Sequence, residues 1–434
     1  MFAPAIIIWY IIGNTYMNVK VKKLKNGFKI IYLPFDNFSS TVIRLLVPAG
    51  SFLDGKRHGL AHMVEHMATK WIENRIHDIT STVWAADHLV THFESGINRQ
   101  YAYFSFDVHH KDAKRVVNIL RDMLILDKIS LGDLTGEKNI ILSEIRDSID
   151  SSSYNFEKDA SISLGDILGV AHPVLGYSSS VRRFTNKIIN NFFVHYYQNT
   201  SAILVVSGKV TSDIQKEIET SFNNAHLTPS TSHFVGLRTL LKRSRFHIVN
   251  NFTRQSYCTI FYPLPVKNLN ELLVWKFVGF VLYDYLRYVL RENGYISYST
   301  DVDVEDLWQR PVLAVRFSVE VNKMTHALQL WQDALSKFSD VFTQHEYIIA
   351  LRAYIQEIEL DKDYPITQAK NFGHYAMLFG LNSVQNIKRE NYKKLFSQKR
   401  VIKNIHTIMQ NPHFLHIVAS KKRLDEKKLR KDFI

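Results

Sequence analysis

A single cysteine, Cys258, occurs in 434 residues. No disulfide can form within the chain, which suits a reducing compartment and sets the expectation of a cytoplasmic protein. Cys258 lies in the apolar, strand-like run Tyr257 to Tyr262, where a buried structural thiol is a plainer reading than a nucleophile. Glycine (17) and proline (10) are sparse, which excludes collagen-like or low-complexity organisation. Long hydrophobic runs are missing too. Phe2 to Ile12 is apolar but too short to span a bilayer, and no basic residue precedes it as a signal peptide would require. Residues 1–16 are therefore expected to be a disordered or spurious extension ahead of Met17, and no stable membrane insertion is expected.

What is present is an ordinary globular balance, 46% apolar and 22% charged, on a chain long enough for two or three domains. The formal charge of +13 would suit nucleic acid, a membrane surface or acidic substrates. The basic residues are not gathered into one element with interleaved aromatics, so no nucleic-acid partner is expected. The densest run, Lys421 to Lys431, is interrupted by Asp425 and Glu426 and reads as an exposed terminal helix.

Along the chain, Asn26-Gly27 marks a turn. Phe28 to Leu33, Thr41 to Val47, Tyr101 to Val108 and Ala202 to Val206 carry strand patterns, the last closed by Gly208. Helical spacing begins near Leu60 and recurs over Asp112 to Leu126 and Leu134 to Ser148. A turn-rich stretch, Asn223-Asn224 and then Thr228 to Ser232, reads as a linker, after which the pattern restarts. Strands are expected at Arg245 to Val249, Ser256 to Tyr262, Tyr298 to Val304, Val312 to Val319 and Phe414 to Ala419, with helices over Asn270 to Glu292 and Met324 to Phe338. The expected class is α+β: two duplicated mixed domains, each a sheet covered by helices, at 17–225 and 245–434, joined by a linker at 226–244.

The chemistry is concentrated in Gly59-Leu60-Ala61-His62-Met63-Val64-Glu65-His66-Met67. On a helix His62 and His66 share a face, and paired imidazoles favour zinc. Glu65 projects close to that face without being a ligand, placed to take a proton from an attacking water. This H-x-x-E-H order inverts H-E-x-x-H with the same parts on one helical turn. Roughly 0.08 such patterns arise by chance in a chain of this composition, so helical surface histidines are the competing reading. Apolar Ala61, Met63 and Val64 argue for a buried turn instead, where two histidines and a glutamate would be costly without a metal. A third ligand is available in Glu137-Lys138-Asn139-Ile140-Ile141-Leu142-Ser143-Glu144-Ile145. Its two carboxylates lie two helical turns apart on one side. By themselves they would pass as ordinary solvated helix carboxylates.

With these residues in view, the sequence resembles the pitrilysin/insulinase-type (M16) metallopeptidases, especially the small two-domain kind related to mitochondrial processing peptidase. The resemblance covers most of residues 17–434 and is strongest in 24–70 and 134–210. Leu24 to Gly27, Pro48 to Ser51, Ala171-His172-Pro173 to Gly176, His195-Tyr196-Tyr197 and Val205 to Gly208 are similar to its landmarks in order. It implies the processing-peptidase-like metallopeptidase fold and one zinc per chain held by His62, His66 and Glu144. It also implies Glu65 as base and Glu137 as an accessory catalytic residue. In the second half, Leu290 to Ser299 resembles a signature in which an Arg and a Tyr reach the substrate, which Arg291 and Tyr298 match.

One departure concerns the family's Asn-Ala-x-Thr strand, whose counterpart is Thr91-His92-Phe93-Glu94-Ser95 without the Asn. Thr91, His92 and Phe93 are the substrate-binding candidates there. His92 as an extra ligand competes with a partly exposed strand histidine. The resemblance implies an endopeptidase taking an extended peptide inside a chamber built from two chains, as a homodimer or with a paralogue. The competing class is a non-catalytic or partner subunit of such a heterodimer. Retention of the zinc motif and of the Arg–Tyr pair favours the enzyme.

Overall fold

The computed structural model describes residues 19–433 apart from 36, 81–91, 130–133, 151–171, 231–240, 242, 251–254, 308–309, 362, 386–391 and 421–423. The expectations for residues 1–16, for Thr91 and for Ala171 lie outside the described residues.

The first half builds a sheet from β1 (Lys20–Lys23), β2 (Lys29–Pro34), β3 (Ser40–Val47), β4 (His92–Ile97), β5 (Ala102–His109) and β6 (Ile203–Gly208), in the order β1-β2-β6-β3-β5-β4. Only β2 and β6 run parallel. The turn into β2 uses Gly27 at φ 94°, and Asn26 Oδ1 accepts the Phe28 amide at 3.0 Å. Strand β3 is buried on both faces, as its near-continuous apolar run requires. Ile43, Leu45 and Val47 face a core shared with α1 (Leu60–Thr80), α2 (Ala113–Leu124), α3 (Leu134–Asp150), α4 (Asn186–Tyr197) and α5 (Ser212–Asn223).

The second half repeats the plan. Strands β7 (Arg245–Asn250), β8 (Gln255–Pro263), β9 (Ser297–Leu307), β10 (Arg310–Glu320) and β11 (Phe414–Ala419) lie in the order β7-β11-β8-β10-β9, with β7 and β11 parallel. Position by position this is the order β2-β6-β3-β5-β4 again, and both β4 and β9 end up as edges. The expected helix over Asn270 to Glu292 is α6 (Leu269–Arg287), capped by Asn268 and continued by a π-helical turn, Tyr288–Glu292. Cys258 is buried and its surroundings push the thiol pKa up, as a structural thiol requires.

Helix α7 (Met324–Ser336) covers the second sheet together with α6. Beyond it come α8 (Gln344–Asp361) and α9 (Pro365–Phe379). Helix α9 lies on the far face of the first sheet, so one core cluster joins Ile31, Leu33, Val42, Leu46, Ile203 and Val205 to Ala369, Phe372 and Ala376. Gly373 permits that approach, since a Cβ there would lie 2.8 Å from Leu46 Cδ1. Lys370 Nζ meets a Glu94 carboxylate oxygen at 2.9 Å. The chain closes with α10 (Gln398–Gln410), β11 and α11 (Glu426–Phe433). No helix among the described residues is long and apolar enough to cross a membrane.

Candidate metal centre

Two features anchor the start of α1. Asp54, fully buried, accepts the amides of Gly59 at 2.6 Å and Ala61 at 2.7 Å, satisfying donors that an α-helix leaves free at its N-terminus. His172 closes over it, with Nε2 2.9 Å from the Ser51 carbonyl and 3.3 Å from the Asp54 carboxylate. Gly59 and Gly176 sit back to back at φ 89° and 74°. A Cβ on Gly176 would lie 2.3 Å from the His58 carbonyl oxygen, so only glycine lets the segment after His172 clamp this turn.

One turn further along α1, His62 and His66 face the Glu137–Glu144 side of α3. One ligand atom from each of His62, His66 and Glu144 lies within 4.8 Å of the other two. Glu144 Oε2 is 3.7 Å from His62 Nε2 and 3.5 Å from His66 Nε2. The imidazole rings cross at 82° with centroids 4.6 Å apart. Glu137 stands behind, its Oε2 3.2 Å from His66 Nδ1. That contact places a proton on Nδ1 and turns Nε2 toward Glu144, the arrangement in which a carboxylate orients a ligating histidine. The buried Nδ1 of His62 has no hydrogen-bond partner among the described residues.

Electrostatics fit a cation. Burial, with His66 adding to it, pushes His62 down to about 4, so it is held neutral as a ligand must be. Burial opposes charge on His66 as well, yet the hydrogen bond to Glu144 and the nearby Glu65 and Glu137 carboxylates outweigh it and lift His66 to about 9. The His66 hydrogen bond holds Glu144 below the usual carboxylate range. Two imidazoles and a carboxylate on two helices, with a carboxylate behind one imidazole, suit a catalytic zinc.

Glu65 is 4% exposed and belongs to the same turn. Burial raises its pKa above the ordinary carboxylate range, against the pull of His66 and of hydrogen bonds from Ser95 and Thr69. Thr69 Oγ1 is 2.9 Å from Glu65 Oε1 and 2.9 Å from Ser95 Oγ. Sequence reasoning missed these two hydroxyls. Thr69 follows Glu65 by one helical turn and was findable by spacing, whereas Ser95 arrives through sheet pairing.

His62, Glu65, His66, Glu137 and Glu144 therefore converge. The remaining candidates do not join them. His92 opens β4 with its side chain 57% exposed and its Nε2 4.0 Å from Glu94. Phe93 stacks on Phe106 at 4.6 Å, facing the core. Arg291 lies in the π-helical turn and Tyr298, 84% exposed, at the start of β9. No hydrogen bond or ion pair among the described residues links either to the cluster.

Comparison with known proteins follows the same geography. Residues 32–159 match the family model described as Insulinase (Peptidase family M16). An uncharacterized zinc protease of Rickettsia felis is 26% identical over 198 residues, 45% of this chain and 47% of that protein. The mitochondrial-processing peptidase subunit beta of Saccharomyces cerevisiae is 22% identical over 202 residues, 46% of this chain and 43% of that subunit. The chain thus spans about half the length of the curated relatives it matches. Among solved structures, an inactive M16 peptidase domain from Pseudomonas fluorescens superposes with a TM-score of 0.75 at 13% identity, covering 93% of this chain and 98% of that one. The fold is that of M16 peptidase domains, and the matched segment contains His62, Glu65, His66, Glu137 and Glu144: the chain is a homologue of the insulinase-type (M16) zinc peptidases.

Proposed function

We propose that this chain is a zinc-dependent endopeptidase acting on peptides or small proteins bound in extended form. The observation that carries the reading is the convergence of His62, His66 and Glu144 with Glu65 on the same helical turn. His62 and His66 would hold the metal through Nε2 and Glu144 through its carboxylate. Bound there, zinc would supply Lewis acidity toward the scissile carbonyl and the attacking water. Glu65 takes the proton from that water and returns it to the leaving amine. Its desolvated setting raises its basicity for that task. Glu137 orients His66 through Nδ1.

Strand β4 is a sheet edge, so a peptide can add to it as a further strand. His92 and Phe93 open it, and Thr91 precedes them in the sequence. Arg291 and Tyr298 project from the second half and, in this reading, complete the site of a facing subunit, identical or paralogous, in a closed chamber. A cytoplasmic location belongs to the same reading and is supported by the single cysteine. Intact ligands and base argue against a non-catalytic subunit. The test is metal analysis with peptide hydrolysis. About one zinc per chain is expected, and Glu65→Gln should keep it while turnover falls at least ~100-fold. A Glu65→Gln variant that cleaves near the parent rate sinks the assignment.

A further inference from the structure

A carboxylate that accepts a proton from water works only if one of its oxygens is held toward that water. Glu65 has a flexible side chain, and among the described residues no backbone amide donates to its carboxylate. What holds it is a pair of hydroxyls. An ionised carboxylate can only accept, and Thr69 has one hydroxyl proton to give. Thr69 Oγ1 donates to Glu65 Oε1 at 2.9 Å and lies 2.9 Å from Ser95 Oγ, and the Ser95 hydroxyl also hydrogen-bonds the Glu65 carboxylate. One hydroxyl comes from α1 and the other from β4, and the two meet at the base. Along β4, Phe93, Ser95 and Ile97 face α1 while His92, Glu94 and Gly96 face the other way, as strand alternation dictates. Ser95 pairs with Phe104 of β5, so its position on the α1 side is fixed by sheet register.

We infer that Thr69 and Ser95 are positioning residues for the catalytic base. They fix one edge of the Glu65 carboxylate, so that the other oxygen is presented as proton acceptor, and they tie the base to the strand on which the peptide is seated. This rests on the peptidase reading above. Chains of hydrogen bonds strengthen one another in low-dielectric surroundings, and a hydrogen bond to a charged group is among the stronger ones. The loss of either hydroxyl is therefore felt at the base without any change in the ligands.

The experiment compares Thr69→Val, Thr69→Ser and Ser95→Ala with the parent and Glu65→Gln. All are full-length and in the assembly in which the protein purifies from its cells. Thr69→Val keeps shape and removes the donor. Its kcat should fall about 10-fold or more, with KM, zinc content and melting temperature close to the parent. Thr69→Ser should recover most of the loss, which a packing role for the Thr69 methyl would not allow. Ser95→Ala should also lower kcat, by less. If Thr69→Val loses zinc or melts early, Ser95→Ala must show the kcat loss by itself, with zinc and stability intact. Parent-like kcat in a folded, zinc-loaded Thr69→Val, or in Ser95→Ala when it stands in, overturns the inference. If Glu65→Gln is as active as the parent, or the parent does not turn over at all, the peptidase reading fails and takes this inference with it. A dead Glu65→Gln beside a fully active Thr69→Val sinks the positioning role of the hydroxyls alone.

Discussion

His66 meets a carboxylate at each ring nitrogen, Glu137 at Nδ1 and Glu144 at Nε2. The two glutamates sit two turns apart on α3, and spacing alone does not say which is the ligand. The packing of α3 on α1 does, because Glu144 also reaches His62 while Glu137 reaches only the rear of His66. Glu137→Gln should therefore leave the zinc stoichiometry at saturation unchanged and weaken affinity about 10–100-fold, the usual cost of losing an outer carboxylate. Competition with a chelator of known affinity measures it. Retention of parental affinity would remove Glu137 from the site.

At the scale of elements, the clamp on the first turn of α1 depends on Gly176 having no side chain. Gly176→Ala forces a Cβ into the His58 carbonyl and a positive φ on alanine. It should destabilise the protein by about 1–3 kcal/mol and lower zinc occupancy, although it touches no ligand. Denaturant titration with metal analysis checks both, and an unchanged midpoint refutes the clamp. Helix α9 offers a second test. Its partly buried His374 has Nδ1 3.1 Å from Tyr101 Oη, and burial pushes its pKa down to about 4 from 6.5, with Lys276 and Arg44 adding to it. Above pH 6.5 both folded and unfolded chains hold this histidine neutral. As pH falls from 6.5 toward 4 the unfolded chain takes up the proton first, so stability is lost over that window. The slope is at most about 1.4 kcal/mol per pH unit for this proton. His374→Gln should flatten the fall in stability between about pH 6.5 and 4.5 relative to the parent. Parallel curves would show that His374 is not the group responsible.

At the scale of the whole molecule, Arg291 and Tyr298 stand apart from the cluster while Tyr298 is 84% exposed. A facing subunit would bring such a pair to the metal side of its partner. Mixing Glu65→Gln with Tyr298→Phe, each first shown to be nearly inactive alone, tests this. If the site is completed between subunits, one site per mixed dimer regains both groups and activity returns. A mixed dimer that forms and stays inactive shows that both halves of the site come from one chain.

The strands and the metal helix were legible because their signals are local. The near-continuous apolar run over Ser40–Val47 and the His62-x-x-Glu65-His66 spacing need only neighbours in sequence. Helices α4, α5, α8, α9 and α10 are not among the expectations drawn from the sequence. Local boundary marks are present, Thr211 capping α5 and Pro365 with Gly380 bounding α9, but α9 has a broad apolar face that blurs helical periodicity because both it and the sheet beneath are buried. Sequence by itself determined which groups come together locally: two imidazoles and a carboxylate on one helical turn, two carboxylates on another, and a strand pattern that restarts halfway. Tertiary structure alone decided that α9 crosses to cover the first sheet, and that Ser95 of β4 meets Thr69 beside Glu65. Those relations depend on register and packing between segments 26 to more than 300 residues apart, and no local pattern encodes such distances.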